Sequence, residues 1–307
     1  MTVVPEVESV ECIRPTPWTV DALVGPARAQ TVLDDDAKRE IRRAVLTAVA
    51  IPGYQVPFGS REMPVARGWG SGGLQITLAL AGSADCVKVI DQGDDDGVNA
   101  VNLRRLVTRA TGATETSEVD EATLVQTRHR IPEDDLADGQ VLILQVPVPE
   151  PLRGVERDMR ELRRMHAEAD YAKMWVSLYE DKVRNGVITQ STGYPCLVND
   201  RYVVATTPIP RWDVPRLNHA PFLSLFGAGR EKRIYAIPPD TAVVPMTFDD
   251  VPFEVEHTPG ARCDRCDTDD TYLVAVPGGI GERWVCSDTS RCRRHRTRPS
   301  RIAAVTS

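Results

Sequence analysis

Apolar positions along this chain recur at two periods, and each period predicts its own kind of element. Ala37, Ile41, Ala44, Val45, Ala48 and Val49 fall at helical spacing behind Asp34-Asp35-Asp36, whose carboxylates suit a helix N-terminus, and Pro52-Gly53 ends the run. A Gly- and Pro-rich stretch follows, reaching Gly68-Trp69-Gly70-Ser71-Gly72-Gly73. Leu74, Ile76, Leu78 and Leu80 then alternate strictly, which predicts a strand. Val87-Lys88-Val89-Ile90 reads as a second short strand, residues 98–110 as a helix, and Val141–Val146 as a strand apolar enough to be buried on both faces. Alternation of strands and helices gives an α/β core, a mixed sheet flanked by helices.

Pro147 and Pro149-Glu150-Pro151 interrupt the pattern. Glu156–Asn185 is highly charged, with a weak apolar stripe of Met159, Leu162, Met165, His166, Tyr171, Met174, Trp175 and Leu178. It predicts a helix pair projecting from the core as a docking surface, or else one packed helix. Leu197–Val204 reads as a hairpin turning at Asn199-Asp200. The expected organisation is a flexible extension over 1–28, a core over 29–151 and 187–258, and a helical insertion over 152–186. A small cysteine domain over 259–295 and a disordered tail over 296–307 complete it.

Composition narrows the class. With 307 residues, 42% apolar and 26% charged, the chain has ordinary globular character. No run is as long as a membrane span, and the first residues lack the basic start and apolar stretch of a signal peptide. The expectation is a cytoplasmic protein in which Cys12, Cys86 and Cys196 are reduced thiols. A net charge of −7 argues against general nucleic-acid binding, although 32 of the 37 cationic residues are arginine. The basic run Arg291, Arg293, Arg294, His295, Arg296 and Arg298 reads as a solvated, disordered tail rather than a phosphate contact.

The chemistry is concentrated in Cys263-x2-Cys266 and Cys286-x5-Cys292, two pairs separated by 19 residues. Such spacing predicts a knuckle, a hairpin through Gly278-Gly279-Ile280-Gly281, and a second knuckle. Four thiolates so placed close a small segment around a metal or an iron–sulfur cluster, and spacing alone favours structural zinc. Other candidates are weaker. Gly68–Gly73 precedes the predicted strand, whereas dinucleotide loops open a helix, so it is not a fingerprint of that kind. Gly227-Ala228-Gly229-Arg230-Glu231-Lys232-Arg233 sets bare amides beside cations and reads as an anion loop or a tight turn. Asp91–Asp96 lacks the spaced ligands of a calcium loop and reads as helix capping. Arg128-His129-Arg130 puts an imidazole among cations, suited to a phosphorylated substrate or simply structural. There is no Gly-x-Ser-x-Gly elbow, Walker loop or His-Glu-x-x-His, which removes the commonest hydrolase and nucleotidase readings.

Long segments then carry a resemblance. Ala48 through Pro64, Gly68-Trp69-Gly70, Lys88 through Gly93, Leu124 through Glu133, Gln145 through Arg153, Leu225 through Ala236 and Val285-Cys286-Ser287-Asp288-Thr289 together resemble the PhnJ family of carbon–phosphorus lyase subunits. The resemblance covers about residues 29 to 295. It implies a radical lyase that uses S-adenosyl-L-methionine to cleave α-D-ribose 1-methylphosphonate 5-phosphate in bacterial phosphonate breakdown, releasing methane and leaving a ribose 1,2-cyclic phosphate 5-phosphate. On this sequence it implies a 4Fe-4S cluster on Cys263, Cys266 and Cys286, a glycyl radical at Gly53 and a thiyl radical at Cys292. The competing reading is a non-catalytic zinc-ribbon scaffold with Cys263, Cys266, Cys286 and Cys292 all structural, and the same thiols take zinc readily. For the substrate phosphates the candidates are Arg128, His129, Arg130, Gly227, Gly229 and Arg230. The family works with PhnG, PhnH and PhnI and with the ATPase PhnK, for which 152–186 is the candidate dock. Two departures stand out, a slightly shorter spacer between Cys266 and Cys286 and an N-terminal extension without counterpart.

Overall fold

The structure, a computed structural model, describes residues 55–57, 71–91, 93–128, 130–186, 195–205, 211–228, 233–246, 259–271, 273–278 and 281–297. The helix expected over 34–49, the extension 1–28 and the residues Gly53, His129, Gly229 and Arg230 lie outside them.

A seven-stranded mixed sheet organises the core. Its strands are β1 (Gln55–Pro57), β2 (Cys86–Asp91), β3 (Thr114–Glu115), β4 (Leu124–Arg128), β5 (Val141–Gln145), β8 (Leu223–Gly227) and β9 (Arg233–Ile237), in the order β1-β9-β8-β5-β4-β2-β3. From β3 to β8 every pairing is parallel, while β9 runs antiparallel to both β8 and β1. Helices α1 (Ser71–Leu80) and α2 (Val98–Thr111) cover one face. Leu74, Ile76, Leu78 and Val107 close there on Val89, Leu124, Ile143 and Leu225. The opposite face packs under a three-stranded sheet of β10 (Val243–Pro245), β6 (Pro195–Val198) and β7 (Tyr202–Ala205), with Leu142, Leu144, Phe226 and Tyr235 meeting Val198, Val204 and Val243. The β6–β7 hairpin turns at Asn199 and Asp200, both at positive φ (50° and 55°), as the sequence predicts.

The segment expected as a strand at Leu74–Leu80 is helix α1. Its alternation misleads because the intervening Gln75 and Thr77 are also buried, so the polar positions do not mark a solvent face. Thr77 Oγ1 donates to the carbonyl of Gly73, 3.1 Å away, a bond of helical spacing. The Gly-rich stretch therefore runs into a helix after all, and the ground for setting it apart from phosphate loops falls. Its glycines serve packing instead. A Cβ on Gly72 would stand 2.6 Å from the backbone nitrogen of Ala228, and one on Gly73 would stand 2.8 Å from Cβ of Gln145. Only bare backbone lets α1 sit so close to the ends of β5 and β8.

The charged segment forms two helices, α3 (Met159–Glu168) and α4 (Ala172–Asn185). Asp158 caps α3 by accepting from the Arg160 N–H, and Gly186 ends α4 in the left-handed region. The stripe is a packing face. Leu162, Met165, Tyr171, Met174 and Leu178 bury against Leu152, Val203 and Met246. Within this face Glu150 accepts from His166 Nε2 at 3.1 Å and from the Tyr235 hydroxyl at 3.4 Å, fastening the pair to the main sheet. Cys196 is a buried thiol outside any disulfide, but Cys86 is disulfide-bonded rather than reduced. Among the described residues no helix is long and apolar enough to cross a membrane.

The close approach of α1 yields a prediction of unusual sign. Gly→Ala inside a helix ordinarily stabilises by about 0.5–1 kcal/mol. Gly72→Ala is expected to destabilise by about 1–3 kcal/mol through overpacking against Ala228. Urea denaturation measures it, and an unchanged or raised midpoint would contradict this packing.

Candidate metal centre

Cys263 and Cys266 lie on a turn that Asp267, at φ 60°, closes by donating its N–H to the carbonyl of Cys263. The turn is pinned to a hairpin of β11 (Leu273–Pro277) and β12 (Glu282–Cys286) by the Asp264 N–H donating to the carbonyl of Trp284, at 2.8 Å. Cys286 ends β12. Cys292 departs from the predicted second knuckle, because it sits on helix α5 (Thr289–Thr297). Asp288 caps that helix, its Oδ1 accepting from the Arg291 N–H at 3.0 Å.

The four sulfur atoms lie within 4.8 Å of one another. Cys263 Sγ is 3.8 Å from Cys292 Sγ, and Cys266 Sγ is 3.4 Å from Cys286 Sγ. A single tetrahedral ion bound at about 2.3 Å would set its sulfurs roughly 3.8 Å apart, so this set fits one thiophilic ion such as zinc. Seating four irons requires the thiols to spread, because each sulfur then stands outboard of its own iron. The donor chemistry, thiols alone, suits either group.

Electrostatics fit a site completed by a cation. Burial works to raise the Cys263 thiol, but N–H groups of Cys286, Arg265 and Cys266 directed at it prevail and bring it down to about 7. Burial, with the neighbouring Cys263 and Cys266, pushes the Cys286 thiol well up, and burial and Cys263 push Cys292 up to about 12. One thiolate is thus ready near neutral pH, and Cys286 and Cys292 would release protons on binding a metal. Apolar support is thin, chiefly Leu273 and Val285.

Polar contacts attach this unit to the core. Lys88, wholly buried in β2, donates from Nζ to Asp95 Oδ2 at 2.9 Å, to the carbonyl of Ser117 at 2.6 Å and to Ser290 Oγ at 3.0 Å. Both Thr289 and Ser290 donate hydroxyls to Asp95. Ser287 Oγ donates to Glu133 Oε1 at 2.8 Å, and Gly93, at φ 87°, leaves no room for a Cβ beneath Ser287. Asp95 and its neighbours are therefore not the helix-capping loop expected. The N-cap of α2 is Gly97, without a side-chain bond, because Asp91, Asp95 and Asp96 are drawn to cations and Asp94 accepts from the Asp96 N–H. Nor is the basic run a disordered tail as far as Thr297. Arg291 bonds Asp270, Arg293 bonds Asp96, and Arg294 bonds Glu118 and Asp134, so these cations are consumed internally. Burial raises the Asp288 carboxyl above its ordinary range, against the pull of Lys88.

Of the substrate candidates, Arg128 and Gly227 share one register row, two strands apart. Arg128, Gln145 and Gly227 lie in register at the carboxyl ends of β4, β5 and β8, with Asp91 beside Arg128 on β2. Arg128 is paired with Asp91 at 2.5 Å, and buried Arg130 with Glu133 at 2.6 Å. Because Glu133 also holds Ser287, the Arg128–Arg130 segment and the metal centre share one chain of contacts. The sequence reading missed Lys88, Asp95, Glu133 and Ser290. A lysine in the otherwise apolar Val87–Ile90 run was the available signal.

Fold and site together define an α/β protein bearing a four-thiol metal centre, docked by polar contacts near the carboxyl ends of its parallel strands. The chain belongs to the family described as phosphonate metabolism protein PhnJ, whose sequence profile matches residues 27–298. It is 52% identical over 264 residues to the alpha-D-ribose 1-methylphosphonate 5-phosphate C-P lyase of Escherichia coli (strain K12), covering 85% of this chain and 94% of that protein. A protein of the same name from Rhizobium meliloti (strain 1021) is 50% identical over 266 residues, covering 86% of this chain and 89% of the relative.

The site predicts a shared dependence on its donors. Cys286→Ser is expected to lower bound zinc from about one ion per chain to near zero after dialysis against a mild chelator, read by elemental analysis. Full retention would show that the metal sits elsewhere.

Proposed function

We propose that this chain is a carbon–phosphorus lyase acting on alpha-D-ribose 1-methylphosphonate 5-phosphate, releasing methane and leaving a ribose 1,2-cyclic phosphate 5-phosphate. One observation carries the reading. A largely buried four-thiol cluster occurs in a chain 50–52% identical, over most of its length, to two proteins named for that activity.

In this reading Cys263, Cys266 and Cys286 would hold a 4Fe-4S cluster, which when bound would supply one-electron chemistry toward S-adenosylmethionine. Gly53 offers a Cα–H flanked by two amides, the hydrogen to be given up in the relay. Cys292 would contribute the sulfur that bonds to the phosphonate phosphorus as the carbon–phosphorus bond breaks. The methyl group would leave as methane with the hydrogen from Gly53, and the ribose 2-hydroxyl would then displace the sulfur to close the cyclic phosphate. The place of Cys292 on α5, apart from the turn and hairpin that carry the other three, lets it leave the set without unravelling them. The row from Arg128 to Gly227 supports a substrate site at the carboxyl ends of the strands, where open α/β sheets bind ligands. Arg128, Arg130 and Gly227 are assigned to the phosphates, which would share Arg128 with Asp91 and Arg130 with Glu133, and His129, Gly229 and Arg230, outside the described residues, are proposed with them from the sequence.

A second reading is favoured by the sulfur spacing, which suits one zinc ion and hence a structural scaffold. Cys292→Ala separates the two. A lyase keeps its cluster and cleaves S-adenosylmethionine but makes no methane. A scaffold loses its metal and the fold of 259–295.

The assembly we propose contains PhnG, PhnH and PhnI in the cytoplasm, with the ATPase PhnK docking on α3–α4. Val176 (58% exposed), Tyr179 and Val183 (62% exposed) recur along α4 at helical spacing and leave an apolar stripe beyond the packed face. Val176→Asp with Val183→Asp is expected to abolish co-purification of the ATPase while PhnG, PhnH and PhnI are retained. Undiminished co-purification would move the dock elsewhere.

A further inference from the structure

We propose that Lys88 and Asp95 are positioning residues for the metal centre, an electrostatic latch that sets the first turn of α5 and hence the place of Cys292. The inference rests on the four thiols binding a metal and not on the lyase activity.

The latch is built from parts far apart in sequence. Lys88 projects from the middle of a sheet strand, and its ammonium is wholly buried, as is nearly all of Asp95. Burying such a pair carries a desolvation penalty that apolar residues of similar volume avoid. Packing is thus a weak reason for its presence, and its partners supply a better one. Lys88 Nζ donates to Ser290 Oγ at 3.0 Å, Ser290 and Thr289 both donate to Asp95, and the Asp95 N–H reaches Thr289 Oγ1 at 3.4 Å. Thr289 and Ser290 open the helix that bears Cys292 two residues later. The Cys292 N–H donates to the carbonyl of Asp288 at 3.0 Å, so fixing the first turn fixes Cys292.

Geometry also shows why a latch is needed. Three thiols are carried by the turn and hairpin, which are cross-linked by their own backbone bonds. The fourth arrives on a separate helix, and the apolar cluster around the thiols is small. Without the latch the sulfur 3.8 Å from Cys263 would depend on Asp288 capping, on the Ser287–Glu133 bond before the helix and on arginine pairs that reach the surface, where such pairs hold weakly.

The test loads the full-length protein with zinc and follows metal release to a chromogenic chelator, with thermal unfolding recorded alongside. Groups that orient metal ligands typically change affinity by about 10–100-fold. Lys88→Met strands the Asp95 carboxylate and is expected to lose both stability and zinc. The informative variant is Lys88→Met with Asp95→Leu, which removes the uncompensated charge. It is expected to recover a near-wild-type unfolding midpoint while releasing zinc about 10–100-fold faster. Thr289→Val with Ser290→Ala, which leaves the ion pair in place, should show the same fast release should the double core variant fail to fold. Wild-type release rates in a folded variant of either kind would overturn the proposal, whatever the outcome for methane production.

Discussion

The ammonium of Lys88 inside the sheet is the constraint on which the rest of this molecule depends. A buried cation must be met by an anion and by hydrogen-bond acceptors. The groups that meet it come from the loop after β2, from the carbonyl of Ser117 and from the start of the last helix. One charge therefore ties the cysteine unit to the α/β core. Around it, Ser287 with Glu133 and the arginines of α5 with Asp134, Glu118 and Asp96 extend the seam. The centre is fixed to the sheet by polar chemistry, since its own apolar residues are few.

Separated segments of the chain that carry the family resemblance are neighbours in this arrangement. Lys88–Gly93, Arg130–Glu133 and Cys286–Thr289 meet at that seam, and Arg128 and Gly227 flank Gln145 in register, one and three strands away from β2. The glycines have packing reasons for their identity. Gly93 admits Ser287, while Gly72 and Gly227 admit α1 and β8 to each other. The candidate binding residues Arg128 and Gly227 and the four-thiol cluster thus lie toward one end of one sheet.

How much of this was legible in the sequence depended on how local the physics was. The four cysteines were legible because ligand spacing is written along the chain. Strands β2 and β5, helix α2 and the Asn199-Asp200 turn followed from apolar runs and turn chemistry. Helix α1 was misread because its polar residues are buried, and periodicity reports only contrast with solvent. The arginine run was misread because Arg294 finds Glu118 and Asp134 well over a hundred residues away. No local pattern announces such partners. Lys88 stood between the two cases, since its strand was legible and its ligands were not.

What the thiols hold is the point on which the functional account turns. Electron paramagnetic resonance of the anaerobically reconstituted, reduced protein, with and without S-adenosylmethionine, addresses it directly. The account predicts the signal of a reduced 4Fe-4S cluster that shifts when S-adenosylmethionine is added. A protein that takes up no cluster, and holds one zinc ion on all four thiols under the same conditions, would contradict it.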